Sequence, residues 1–120
     1  MEKIVLTEKF SKIADHWHPY IVGELNDNFI KLAKVKGDFV WHKHEQEDEL
    51  FIVQKGTLFI DFQDKTMAVK PGEILTVPKG VEHRPRTNGE EVFLMLIEPK
   101  KTKHTGELVL ERTIEQLEWI

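Results

Sequence analysis

The 120-residue sequence predicts one all-β domain, a barrel or sandwich with a short helix ahead of it. Three observations carry this. From Tyr20 onward the chain consists of short runs rich in β-branched and aromatic residues. Turn signals separate the runs, at Asn26-Asp27-Asn28, Lys36-Gly37, Lys55-Gly56, Asp64-Lys65, Pro71-Gly72 and Lys79-Gly80. No segment of helical length and periodicity lies between them, which disfavours a parallel sheet covered by helices.

Taken in order, Phe10, Ile13 and Ala14 at helical spacing predict a helix from Thr7 to Asp15, with Thr7 as cap and Glu8 in the first turn. The strands follow. Near the C-terminus, Glu107 to Leu110 reads as a further strand and Thr113 to Trp119 as a helical turn or two. There is no internal repeat and no linker, and residues 1–120 fit the size of one domain.

Composition narrows the function classes. Acidic residues number 21 against 17 basic, and no Lys and Arg tract could follow a phosphate backbone, so nucleic acid is not an expected partner. The longest apolar runs, such as Val92 to Ile97, are strand-sized, and the start MEKIVLTEKF lacks the apolar core of a signal peptide. A cytoplasmic protein without membrane contact is expected. With no cysteine in the chain, any bound metal must use nitrogen and oxygen ligands.

The chemistry concentrates in GDFVWHKHEQEDELFIVQKG, residues 37–56. Side chains alternate along a strand, so His42 and His44 share a face while Trp41 and Lys43 take the other. The acidic run Glu45-Gln46-Glu47-Asp48 interrupts the apolar pattern as a hairpin connection would, and Glu49 then leads a strand in phase with Phe51 and Val53. Glu45, Glu47 and Asp48 read as a solvated turn. A third imidazole, His83, ends PGEILTVPKGVEH. His42, His44, Glu49 and His83 could thus close on one divalent transition metal. Imidazoles with one carboxylate suit Fe, Mn, Ni, Zn or Cu, whereas Ca and Mg prefer all-oxygen shells.

These residues stand in an order that resembles the two motifs of the cupin superfamily. In the first, Gly37 is followed by four residues where the family has five, then His42-x-His44, four residues, Glu49, six residues and Gly56. In the second, Gly72, Pro78, Gly80 and His83 keep the family spacing, while Thr87 takes the asparagine place and Asn88 follows one position late. The resemblance, over residues 37–56 and 72–88, implies a small single-domain cupin of the type-2 kind, a double-stranded β-helix or jelly-roll barrel holding one metal. It implies no particular reaction, since cupins include oxygenases, isomerases, storage proteins and sensor domains.

The expected function is a mono-metal enzyme of oxygenase or isomerase type acting on a small polar molecule in the barrel. The alternative is a non-catalytic metal- or metabolite-binding module. Arg84 and Arg86, flanking Pro85 after His83, are candidate ligands for a substrate carboxylate or phosphate. His16 and His18, around Trp17, read as part of a packed or solvated N-terminal arm, and His104 as an exposed loop residue. Phe39, Trp41, Phe93, Met95 and Ile97 lie opposite the histidine face or its equivalent and need cover. A homodimer is expected to supply it; the competing expectation is that the helix carrying Phe10 and Ile13 folds over this face.

Overall fold

In a computed structural model, residues 1–101 and 117–120 are described. The expected punctuation holds throughout: α1 (Leu6–Phe10) is followed by β1 (Tyr20–Leu25), β2 (Asn28–Val35), β3 (Glu49–Lys55), β4 (Leu58–Asp61), β5 (Thr66–Val69), β6 (Ile74–Val77), β7 (Arg84–Arg86) and β8 (Val92–Pro99). Every predicted turn signal lies at a strand end or connection. Gly56 shows why one of them must be glycine: its φ is +76°, and an added Cβ would stand 2.8 Å from the Glu91 carbonyl oxygen.

The strands form two antiparallel sheets, one of five strands in the order β1-β2-β8-β3-β6 and one of three in the order β5-β4-β7. Their facing sides share one core, with Val35, Phe51, Val53 and Leu94 from the large sheet against Leu58, Ile60 and Val69 from the small one. The expected barrel is corrected here, because no ladder among the described residues closes the sheets on each other.

The all-apolar run in β8 is explained by its central place. Leu94 and Leu96 face the core, paired with Ala33 and Lys31 on β2 and with Val53 and Phe51 on β3. On the outer face, Phe10 stacks on Phe93 with ring centroids 4.6 Å apart, and Ile13, Leu32 and Met95 join the same cluster. The N-terminal segment therefore covers Phe93 and Met95 within one chain, as the competing expectation held.

Other expectations need correction. The helix spans only five residues, and its N-cap is Val5 with no side-chain bond, so Thr7 does not cap it. Phe39 is buried, not outward, because residues 37–44 form no regular strand. This segment instead runs beside β7 through bonds such as Phe39 N–H to the Pro85 carbonyl at 2.9 Å. The acidic run is not a hairpin, since β3 pairs with β6 and β8; it carries the chain from the small sheet to the large one. The predicted strand at Glu107 to Leu110, His104, and most of the helical turn at Thr113 to Trp119 lie outside the described residues. Trp119 itself bridges Ile21 in extended form. Among the described residues no helix is long and apolar enough to cross a membrane.

Since Phe10 is 2% exposed and stacked on Phe93, Phe10→Ala should lower the unfolding free energy by about 3–4 kcal/mol in a urea titration while leaving metal uptake per folded chain unchanged.

Candidate metal centre

The four predicted ligands meet at the junction of the two sheets. His42 and His83 pair backbone to backbone, N–H to carbonyl in both directions at 3.0 and 2.9 Å, so their side chains leave on one side. Despite the irregular backbone, the alternation at 41–44 survives, with Trp41 and Lys43 exposed and His42 and His44 buried. From the large sheet Glu49 arrives in phase with the buried Phe51 and Val53. All four are at most 3% exposed, and one donor atom from each lies within 4.8 Å of the others.

Glu49 Oε1 is the hub, 3.0 Å from His83 Nε2, 3.2 Å from His44 Nε2 and 4.0 Å from His42 Nε2. The other ring nitrogens face outward. His42 Nδ1–H donates to the Val40 carbonyl at 3.0 Å and His83 Nδ1–H to that of Val81 at 2.9 Å, which turns each Nε2 toward the cluster. Glu47 Oε1 stands 3.7 Å from His44 Nδ1, a supporting contact for the third ring.

These residues fit a metal ion. His42 Nε2 is buried without a hydrogen-bond partner, a costly arrangement for a polar atom unless something binds it, and His44 Nε2 has the Glu49 carboxylate as its close polar contact. Bonds of about 2.0–2.2 Å to one ion set ligand atoms up to about 4.4 Å apart, close to the observed spread.

Electrostatics prepares the same donors. Burial pushes His42 down to about 4, outweighing the Glu49 charge, so its ring stays neutral and able to ligate. His44 moves up: burial opposes its charged form, but the hydrogen bond and charge of Glu49 prevail. For Glu49, burial works against ionisation, yet the bonds from His44 and His83 hold it well below the usual carboxylate range. A metal ion would replace the protons that these contacts share.

Sequence reasoning missed two buried ionisable residues. Lys31 and Glu98 are 1% and 0% exposed, with Nζ to Oε1 at 3.4 Å. Glu98 lies within hydrogen-bonding reach of the Glu49 carboxyl, and its Oε2 has no donor. A signal existed, because Glu98 continues the inward series Val92, Leu94, Leu96, and a charge at such a position calls for a reason.

Arg84 and Arg86 lie outside the cluster, opposite in strand parity to Pro85, and both meet Asp61 Oδ2, at 2.9 and 2.8 Å. Arg86 also donates to Asn88 Oδ1. Asp61 is held at about 2, because bonds from Arg86, Thr66 and Arg84 overcome its burial. Thr87, in the asparagine place, ties down Gly37 by accepting its N–H on Oγ1 and donating its own N–H to the Gly37 carbonyl, both at 2.9 Å. His16 pairs with Glu91 and His18 with Asp15, away from the cluster.

Comparison with known proteins agrees with this geometry. The family profile of the Cupin domain matches residues 29–98, more than half of the chain and inclusive of both motifs. The chain belongs to the cupin family. This cupin is 47% identical to a cupin-2 domain containing protein from Shewanella frigidimarina, whose crystal structure superposes with a TM-score of 0.79 over 81% of this chain and 94% of that one. Protein NMB1881 from Neisseria meningitidis is 34% identical, with a TM-score of 0.75 over 82% of this cupin and all of that chain. Uncharacterized protein YdbB of Bacillus subtilis is 46% identical over 69 residues, 57% of this cupin; the match spans 61% of YdbB, less than two thirds of its length.

Burial, followed by the nearby Glu49 charge, pushes Glu98 up to about 8 from 4.5. The folded protein then keeps a proton that the unfolded chain releases, so this stabilisation is complete below 4.5 and lost as pH rises through about 8. In chelator-treated protein, thermal unfolding from about pH 7 to 8.5 should show falling stability, and Glu98→Gln should flatten that slope.

Proposed function

We propose that this cupin is a mono-metal enzyme of oxygenase or isomerase type, acting on a small molecule that reaches the His42, His44, Glu49 and His83 cluster. The single observation behind the reading is the convergence of three buried imidazole Nε2 atoms on the buried Glu49 carboxylate, with that of His42 left without a hydrogen-bond partner. Such a set suits a divalent transition metal, which when bound supplies Lewis acidity and positions for water, substrate or dioxygen. The protein's own part is to fix the ring orientations through Val40 and Val81, to keep His42 neutral, and to exclude bulk water.

The expected polar substrate is narrowed by the surroundings. Beside His42 and Glu49 lies a cavity of about 30 Å³ whose other walls include Ala33, Val35, Phe51 and Leu96, so polarity in a ligand belongs at its metal-facing end. An anionic ligand held by Arg84 and Arg86 would share them with Asp61.

A homodimer is part of the same proposal. On the outer face of the large sheet Ile52 pairs with Ile74, and Ile74 is 63% exposed on edge strand β6, three strands across from β2, on which α1 packs. A second copy would bury this surface most simply across a two-fold axis.

Protein purified without an affinity tag should carry close to one transition metal per chain by elemental analysis. His42→Ala with His44→Ala should remove it, and full occupancy in that double variant would refute the assignment. Glu49→Gln should weaken binding much more than Glu47→Gln, roughly tenfold or more against less than that, because Glu47 acts only through His44. Depletion of a candidate substrate under air but not under nitrogen would identify an oxygenase; tight binding with no turnover would favour the non-catalytic module. Sedimentation equilibrium should give twice the 14.1 kDa chain mass, reverting to one chain in Ile74→Glu with metal retained.

A further inference from the structure

The N-terminal arm contains a residue that the metal centre does not account for. Trp17 has φ +59°, in the left-handed region that costs a bulky side chain energy and persists only where surrounding contacts enforce it. Three contacts do so here. Its backbone N–H donates to the Lys34 carbonyl at 2.9 Å, and its indole N–H to that of Lys36 at 2.8 Å. Its ring stacks on Phe39 with centroids 4.7 Å apart, and Phe39 in turn meets the His42 ring edge-on at 5.6 Å. The arm around it is tied to the rest of the chain by the exposed pair of His16 and Glu91 at 2.7 Å, of the weak, breakable kind, and is braced within itself by His18 to Asp15 at 2.8 Å.

What Trp17 does follows from the cavity beside His42 and Glu49. Every other residue lining that cavity is buried; Trp17 is the one wall that reaches solvent. A molecule entering from outside therefore passes Trp17. Apart from the two ligands and the indole N–H, which is already engaged, no wall side chain carries a hydrogen-bonding group. A hydroxyl placed among Val35, Phe51 and Leu94 would give up water for nothing. At about 30 Å³ the cavity admits only a few atoms while Trp17 stays stacked.

We propose that Trp17 is the gate and size-selecting wall of an apolar ligand chamber, and that the chamber takes small molecules with an apolar body behind an oxygen-bearing head directed at His42 and Glu49. This rests on the metal reading above. Trp17 sets which bodies fit; the metal-facing end sets which heads bind.

The test uses the full chain loaded with Co²⁺, whose visible absorption changes when an oxygen ligand binds. Acetate, butyrate, benzoate and 3-hydroxypropionate serve as probes, the last being butyrate with its terminal methyl replaced by hydroxyl. Butyrate should bind about tenfold or more tightly than 3-hydroxypropionate, since a polar group without a partner in an apolar pocket is penalised at least that much. In Trp17→Ala the benzoate to acetate affinity ratio should rise about tenfold, with acetate itself little changed. Trp17→Phe, which keeps the stack on Phe39 and is the safer fold, should move the ratio in the same direction by a smaller factor. Equal binding of butyrate and 3-hydroxypropionate, or a benzoate to acetate ratio unchanged in both Trp17 variants, would overturn the inference while leaving the metal centre standing. Absence of Co²⁺ uptake by the unaltered chain would overturn the metal reading and the chamber with it.

Discussion

Glu49 is the constraint on which the rest of this structure depends. A carboxylate that is 3% exposed and still ionised must be compensated where it stands, and the His44 and His83 Nε2 atoms at 3.2 and 3.0 Å do this. Its position is tied to the packing of the core, because Glu49, Phe51 and Val53 occupy successive inward places on β3. A one-residue slip of β3 would turn all three out and bring Leu50 and Ile52 in. Core register and site geometry are therefore one decision, enforced mainly by the burial of Phe51 and Val53.

The interior between the sheets is divided accordingly. One end is apolar and tightly filled, with Val53, Leu58, Ile60 and Val92 at 0% exposure. The other end gathers His42, His44, His83, Glu49, Glu98 and Lys31. A buried pair such as Lys31 and Glu98 is rarely more stabilising than apolar residues of the same volume would be. Burial and the Glu49 charge beside it keep the Glu98 carboxyl protonated into the neutral range, so the second acid adds no second negative charge next to Glu49.

Each sheet contributes part of the site. His42 and His83 belong to the small sheet's margin, joined by two backbone bonds, while Glu49 and Glu98 belong to the large sheet. The acidic run at 45–48 spans the gap, anchored where Asp48 accepts the Lys79 N–H at 2.9 Å. Relative movement of the sheets would separate His83 from Glu49, so the shared core of Phe51, Leu58 and Ile60 also serves as the clamp that keeps the donor set together. The N-terminal arm closes the remaining side through Trp17, far in sequence from His42, Glu49 and His83.

The clustered residues His42, His44 and Glu49, the strand punctuation and the inward phase of β3 were legible in the sequence because alternation and turn chemistry are local properties of the backbone. His42 and His44 share a side whatever sheet they join, and Glu49 keeps the phase of Phe51 wherever β3 goes. What covers Phe93, why Phe39 turns inward, how Arg84 and Arg86 come to share Asp61, and that Lys31 and Glu98 meet beside Glu49 were decided only in three dimensions. Each depends on which distant strands pair. With β8 between β2 and β3, Glu98 comes to Glu49, Lys31 comes to Glu98, and α1 has an apolar face to cover. Local residue pattern determines which face of a strand is buried, but the identity of its neighbours is set by long-range pairing, and no spacing along the chain encodes that.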